Sequence, residues 1–226
     1  MLNKIYYWLH AVASKPEERG EPSAGYWQDT VRKTALALCE EKKGKLLEIG
    51  CGEGLFISQL VSINKDLQIY GIDNEKNMLE KAENRIMEKG IKDTNISQAE
   101  ANALPFDDSF FDTVVCINVI PNLESWAMVK KALGEAVRVC KKGGSIIFDF
   151  RNSANPLLYV KYKLAPFYDQ TVADKKLPLN TYKFNDISRL LKTLGLEMHR
   201  KIETGFFIKQ MAPLIIIEAV KDSHAC

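Results

Sequence analysis

Short apolar runs alternate with segments of helical periodicity through the middle of the chain, from about Leu46 to Phe150. Apolar runs bounded by turn residues indicate buried strands, and apolar residues three and four positions apart indicate helices with one buried face. The predicted strands are Leu46–Ile49, Leu67–Ile72, Asn95–Gln98, Phe111–Asn118 and Ser145–Phe150. The predicted helices are Leu55–Ile63, Asn74–Lys89 and one that begins at Ser125 and is ended by Gly143-Gly144. This alternation, with short connections, predicts an α/β fold whose parallel sheet is covered by helices on both faces.

The alternation stops after Phe150, and residues 151–180 are rich in Pro, Tyr and Lys. Loops of this length in compact domains are commonly lids, so we predict an inserted lid or substrate segment here. If the segment is helical, it has one apolar and one cationic face. A membrane-surface helix would normally carry a stronger basic face, so the pattern favours a cover helix over membrane contact.

The two ends of the chain extend this core. Residues 1–44 are predicted to form an N-terminal helical cap, with a short amphipathic helix over Leu2–Val12 and a second over Tyr26–Glu41. Near the C-terminus, a helix over Asn185–Thr193 precedes two apolar runs, Leu196–Thr204 and Pro213–Val220. Because no helix separates these runs, we expect them to pair as an antiparallel hairpin at the end of the sheet. The whole chain is predicted to be one domain.

A glycine turn follows the first predicted strand, in the sequence LLEIGCGEG, with glycines at positions 50, 52 and 54. Glycines let a ligand approach the backbone, and the following helix presents unpaired N–H groups at its first turn. A dinucleotide loop would read G-x-G-x-x-G and hold a pyrophosphate. Here the third glycine comes one residue early, and Glu48 and Glu53 flank the turn. Carboxylates would repel a pyrophosphate but suit a ligand with an ammonium or sulfonium group.

Asp73 ends the second predicted strand, in the sequence YGID. An acidic residue there can accept hydrogen bonds from both hydroxyls of a ribose, in folds that bind NAD and in folds that bind S-adenosylmethionine (SAM). The alternative is a cap for the helix that starts at Asn74, since Asp and Asn are both good caps. The glycine turn upstream favours ribose binding.

A third segment, AEANALPFDDSFFDTVVCINVI, leads into the fourth predicted strand. Together with the E-x-G-x-G-x-G turn and Asp73, its Leu-Pro-Phe-x-x-x-x-Phe-Asp pattern resembles the class I SAM-dependent methyltransferases, of the methyltransferase type 11-like family. The three segments span about Leu46 to Phe150 in that family's order. The resemblance implies a Rossmann-like, seven-stranded, mostly parallel sheet with an antiparallel last strand, in agreement with the hairpin predicted above.

The resemblance also implies where the cofactor SAM binds, across the carboxyl ends of the parallel strands. The implied contacts are Glu48, Gly50, Gly52 and Gly54 for the methionine part, Asp73 and Asn74 for the ribose, Glu100 and Ala101 for the adenine, and Asn118 under the sulfonium. Cys51 and Met78 are also expected to bind the cofactor. The family usually has Asp at the position of Glu100, so this contact requires a small backbone shift or a bridging water. Its alternative is a solvated loop carboxylate. Asp112 is expected to be a structural cap or turn residue.

The acceptor site is less defined by the sequence, and no residue identifies itself as a catalytic base. The candidate substrate-binding residues are His10, Tyr26, Arg151, Tyr159 and Tyr168. Each of these residue types is also common in packing. Methyl transfer mainly requires alignment of the acceptor and exclusion of water, although an oxygen acceptor also needs a base. No Cys/His/Asp cluster has the spacing of a metal site, so no metal is expected.

Composition narrows the partners. The 31 basic and 29 acidic residues balance, which gives no basic footprint for nucleic acid. Five cysteines without a close pair fit free thiols in a reducing cytoplasm, and the chain has neither a signal peptide pattern nor a transmembrane run. We therefore expect a cytoplasmic methyltransferase with a small-molecule acceptor. The alternatives are a noncatalytic SAM-binding regulator and an NAD-dependent oxidoreductase; the methylated atom and the oligomeric state stay open.

Overall fold

The computed structural model describes residues 26–92, 94–168, 178–205 and 211–222. The helices are α1 (Tyr26–Cys39), α2 (Leu55–Ile63), α3 (Lys76–Glu88), α4 (Trp126–Val139), α5 (Pro156–Tyr168) and α6 (Phe184–Thr193), with a short 3-10 turn at Ile120–Asn122. The strands are β1 (Gly44–Ile49), β2 (Leu67–Asp73), β3 (Thr94–Gln98), β4 (Phe111–Cys116), β5 (Cys140–Arg151), β6 (Leu196–Thr204) and β7 (Leu214–Lys221).

All seven strands form one sheet in the order β3-β2-β1-β4-β5-β7-β6. Strands β1 to β5 are parallel, and β7 runs antiparallel to both β5 and β6. The predicted fold class and hairpin are therefore confirmed. The hairpin enters the sheet with β7 against β5, which leaves β6 at the edge.

Helices cover both faces of this sheet, which explains why the central strands are apolar at consecutive positions. On one face, Leu46 packs with residues of α1, α2 and α3; on the other, Leu47 packs with residues of α4 and α6. These two adjacent residues of β1 point to opposite faces, as the pleat of a strand requires. Each face thus has its own apolar core.

The start of β5 corrects one prediction. Helix α4 ends at Val139, and Cys140 is already the first residue of β5, so Gly143-Gly144 do not end the helix. Phe111 of β4 pairs with Cys140 of β5, and the next paired residues are Thr113 and Ser145. The chain therefore advances two residues on β4 but five on β5, and Gly143, within that stretch of β5, has φ +74°. The glycines therefore form an irregularity within the strand, which needs their conformational freedom.

The topology places a crevice between β1 and β4. The chain proceeds from β1 to β2 and β3 in one direction, and from β4 to β5 in the other. In open α/β sheets, ligands bind beyond the carboxyl ends of the strands where the order reverses in this way. The predicted N-terminal helix with His10 and residues 169–177 lie outside the described residues. Among the described residues, no helix is long and apolar enough to span a membrane.

Candidate functional site

The glycine turn lies at the carboxyl end of β1, with Gly50, Gly52 and Gly54 all in the left-handed region of the backbone. A Cβ at Gly50 would lie 2.3 Å from the Cγ2 atom of Val119, and one at Gly54 would lie 3.0 Å from the Cβ of Ala82. These two glycines are needed for close packing. A Cβ at Gly52 would have no atom of the described residues within 4 Å, so the backbone there borders open space.

Asp73 joins this turn to the end of β2. Its carboxylate accepts a hydrogen bond from the Gly52 N–H at 2.8 Å and another from the Glu75 N–H at 2.9 Å. The second bond stabilises the turn before α3, but α3 begins at Lys76 with Glu75 as its N-cap, so Asp73 is not itself the cap residue. Its half-buried carboxylate lies at the edge of the open space beside Gly52. Geometry thus supports a role in the turn, and leaves lone pairs for a ligand.

Glu48 is the second acidic residue of the turn. Its side chain is only 3% exposed, and its Oε2 has no hydrogen-bond partner among the described residues. Burial raises the pKa of this carboxyl well above its usual value, and the negative charge of Asp73 raises it further, while Arg32 on α1 opposes the rise. A bound cation would compensate for the cost of ionising a carboxyl in this place.

Glu53 behaves differently from Glu48, although the sequence places both beside the turn. Its carboxylate forms an ion pair with Lys81 of α3 at 2.7 Å, and its carbonyl accepts a hydrogen bond from Arg85 at 2.9 Å. Glu53 therefore fastens the turn to α3. Of the three acidic residues near the turn, Glu48 and Asp73 are therefore the candidates for contact with a positively charged ligand.

The neighbouring candidates are placed around the same edge. Asn74 is exposed and its carbonyl accepts a hydrogen bond from Gln98, while Met78 is half-buried in the first turn of α3. The Cys51 side chain is buried on the α2 face, where a Cβ at Gly71 would lie 3.1 Å from its Sγ, and burial raises the pKa of its thiol. Only the backbone of Cys51 belongs to the turn.

Glu100 and Ala101 follow β3, beside the end of β2. The Ala99 N–H donates to the Asp73 carbonyl at 3.1 Å, which brings this loop next to the glycine turn. Glu100 is exposed and its carbonyl accepts a hydrogen bond from the Ala103 N–H at 3.1 Å. Its side chain is thus exposed, just beyond the carboxyl end of β3.

Arg138 on α4 holds the rest of this loop, and the sequence pattern did not reveal it. Its guanidinium donates to the carbonyls of Leu104 at 2.9 Å and Phe106 at 2.7 Å, and pairs with Asp108 and Glu135. Glu135 in turn accepts a hydrogen bond from the Leu104 N–H at 2.8 Å. An Arg and a Glu three residues apart on a helix were the only signal for this clamp.

Asp112, as predicted, is structural: it accepts from the Lys45 N–H and pairs with Lys141.

Asn118, which follows β4, connects the carboxyl end of that strand to the end of β5. It has φ +59°, its N–H donates to buried Asp149 at 2.5 Å, and its side-chain oxygen accepts from Arg151 at 3.1 Å. Asp149 and Arg151 form a buried ion pair. The Arg151 Nε has no hydrogen-bond partner among the described residues, and the hydroxyl of Tyr162 on α5 interacts with the same guanidinium. A buried polar cluster therefore stands at the ends of β4 and β5.

The other acceptor candidates are only partly described. Tyr159 and Tyr168 lie on α5 and Tyr26 begins α1, but their side chains, like all of His10, are outside the described part. The structure therefore places Arg151 beside Asn118 and Asp149 at the ends of β4 and β5. The acceptor-binding roles of His10, Tyr26, Tyr159 and Tyr168 stay predictions. Among described residues, no group of three His, Cys, Asp or Glu could hold a metal ion.

Comparison with known proteins gives a consistent result. A family profile described as "Methyltransferase domain" matches residues 47–148. A phosphatidylethanolamine N-methyltransferase of Cereibacter sphaeroides is 31% identical over 64% of this chain and 70% of its own length. A demethylmenaquinone methyltransferase of Bacillus subtilis is 29% identical over 65% of this chain and 64% of its own.

A solved structure supports the fold. The magnesium protoporphyrin IX methyltransferase of Synechocystis PCC 6803, crystallised with bound SAH, superposes with a TM-score of 0.67 at 18% identity, over 97% of this chain and 94% of its own. Across other curated relatives, the chain spans as little as about half of their length.

Proposed function

The chain belongs to the class I SAM-dependent methyltransferases, and we propose that its acceptor is a small amphipathic molecule with an oxygen-bearing polar head. Membership of this family decides against the NAD-dependent oxidoreductase considered above. The observation that carries the acceptor proposal is the cluster of Asn118, Asp149 and Arg151 at the ends of β4 and β5. In it, the buried Arg151 Nε lacks a hydrogen-bond partner among the residues that the structure describes.

We assign the cofactor to the edge formed by Gly50, Gly52, Asp73 and Glu48. The open space beside Gly52 leaves room for a ligand against the backbone, the Asp73 carboxylate lies at the edge of that space, and Glu48 adds negative charge when it ionises. This environment fits the ammonium and sulfonium charges of SAM. SAM supplies a methyl group already activated by its positive sulfur. Asp73 would accept hydrogen bonds from the ribose, and the loop at Glu100 would contact the adenine.

The residues of this chain then have two tasks, to align the acceptor and to exclude water. Asn118 is held by backbone and side-chain hydrogen bonds, so its position at the end of β4 is well determined. Alignment of reactants can contribute on the order of 7–11 kcal/mol to a reaction of this kind. Arg151 would donate a hydrogen bond to an oxygen of the acceptor and so orient its head group.

Two further facts support an amphipathic acceptor. The two relatives reported above are named for phosphatidylethanolamine and demethylmenaquinone. In this chain, α5 follows the Arg151 cluster directly and is composed mainly of apolar and aromatic residues. Such a helix next to a polar anchor suits a molecule with a polar head and an apolar body.

The test is methyl transfer from labelled SAM to fractionated cell extracts, with the lipid-soluble and water-soluble fractions assayed separately. We expect label in the lipid-soluble fraction. Label found solely in polar metabolites, protein or nucleic acid would contradict the proposal. The variant Arg151→Lys keeps the positive charge beside Asp149 but removes the Nε donor. It should raise the acceptor KM several-fold and leave the affinity for S-adenosylhomocysteine unchanged.

A further inference from the structure

Helix α5 exposes a continuous apolar stripe to solvent. Its large exposed apolar residues are Leu157 (62% exposed), Val160 (53%), Leu164 (49%) and Phe167 (72%). The spacing of three, four and three residues places them within about 80° of the helix circumference. Only two other large apolar residues are comparably exposed in the described chain, Ile63 and Met87, and each stands alone on a different helix. The stripe on α5 is therefore a distinct surface.

The other side of α5 packs against the protein. Leu158 and Ala165 are 1% and 4% exposed, and they lie about 130° around the helix from the centre of the stripe. Asn155 accepts a hydrogen bond from the Leu158 N–H at 2.9 Å and donates to the Met211 carbonyl, which fixes the start of the helix. The helix is thus apolar on two sides, and the fold buries only one of them.

Two lysines border the stripe. Lys161 and Lys163 each lie about 80° from its centre, on opposite sides. Lys163 is exposed, and the Lys161 ammonium lies 3.4 Å from the ring centroid of Trp27 on α1. The helix contains no acidic residue. An apolar stripe bordered by lysines is the surface that a bilayer with anionic lipids accepts, because the apolar residues enter the acyl boundary and the ammonium groups remain at the head groups.

We propose that this stripe of α5 docks on the surface of an anionic lipid bilayer. The inference rests on the proposed function, because a membrane-embedded acceptor must be taken from a bilayer. Helix α5 begins five residues after Arg151, so docking places the carboxyl ends of β4 and β5 close to the lipid head groups. The sequence pattern favoured a cover helix over membrane contact, because the segment lacks a strongly basic face. The exposure of the apolar stripe in the structure favours membrane contact.

The test is co-sedimentation of the full chain with vesicles of phosphatidylcholine, with and without about 30% phosphatidylglycerol. The test variant is Leu157→Asp/Leu164→Asp, and the matched control is Ile63→Asp/Met87→Asp, which changes residues of similar exposure at the carboxyl ends of α2 and α3. We expect the parent and the control to bind anionic vesicles and the test variant to bind at least about tenfold more weakly. Lys163→Glu should weaken binding to anionic vesicles by about fivefold or more.

Several results would overturn the proposal. One is a parent that does not bind vesicles, and another is a test variant that binds as well as the parent. A large loss of thermal stability in the test variant alone would show that another part of this chain covers the stripe. Dissociation of a parent dimer by the same variant would show that a second copy does. Methyl transfer to an acceptor dispersed in detergent is measured in parallel. If it persists while vesicle binding fails, the proposed function stands and only the docking inference falls.

Discussion

The substitution Gly52→Ala tests the glycine turn more directly than any other change. Gly52 has φ +51°, and an added Cβ would meet no atom within 4 Å in the part of the chain that the structure describes. The protein should therefore fold, with a backbone cost of about 1–2 kcal/mol for placing an L-residue in the left-handed region. For a chain of this size that corresponds to a fall of about 2–8 °C in melting temperature.

Gly52→Ala should also weaken cofactor binding, beyond any loss caused by lower folding stability. If the ligand contacts the backbone at Gly52, the new methyl group occupies ligand space. Overpacking of this kind costs about 1–3 kcal/mol, which is about a 5- to 150-fold loss of affinity. Isothermal calorimetry with S-adenosylhomocysteine measures this loss.

The matched control is Gly90→Ala. Gly90 lies between the end of α3 and the start of β3, away from the carboxyl ends of the strands. Gly90 has φ +61°, and no atom of the described residues would lie within 4 Å of an added Cβ, so the folding cost should be the same. The control should melt like Gly52→Ala but bind S-adenosylhomocysteine like the parent. Equal ligand affinity in Gly52→Ala and the parent would refute the assignment of the glycine turn to the cofactor.

Three further predictions follow from the same edge of the sheet. Asp73→Ala should weaken SAM binding about tenfold to a hundredfold, the loss of hydrogen bonds to a charged group; reduced thermal stability with unchanged affinity would instead assign Asp73 to the turn alone. Folding raises the pKa of Glu48 above its ordinary 4.5, so the free energy of unfolding should fall as pH rises from 4.5 through the raised pKa. The affinity for cationic SAM should rise over the same pH range, because Glu48 becomes negatively charged. Calorimetry across pH should show both trends in the parent and neither in Glu48→Gln; a parent affinity independent of pH would count against this role. Arg138→Met should lower the free energy of unfolding in urea by about 1–3 kcal/mol and speed amide exchange across residues 99–110. The control Arg189→Met breaks an exposed pair with Asp186 and should cost under about 0.5 kcal/mol. Similar losses in both variants would show that Arg138 does not hold the loop.

Most of the element pattern is local information, and the sequence reveals it. The helix over Leu55–Ile63 and the strand over Leu196–Thr204 have the predicted bounds, because burial imposes a period of 3.6 or 2 on nearby residues. The glycine turn is equally local, since left-handed backbone favours glycine. Gly143-Gly144 show the limit of this reasoning: the same residue type that ends helices also permits an irregularity inside a strand.

What only the tertiary structure decided depends on residues far apart in the chain. The sequence places Glu48 and Glu53 together, but only packing pairs Glu53 with Lys81 and leaves the Glu48 Oε2 without a hydrogen-bond partner in the described part of the chain. Arg138 reaches Leu104 because α4 packs beside the loop, a contact that no periodicity encodes. The stripe on α5 is exposed because the fold covers the other side of that helix and not this one. Desolvation, ion pairing and exposure are set by which elements meet, and for that reason they appear only when the chain is folded.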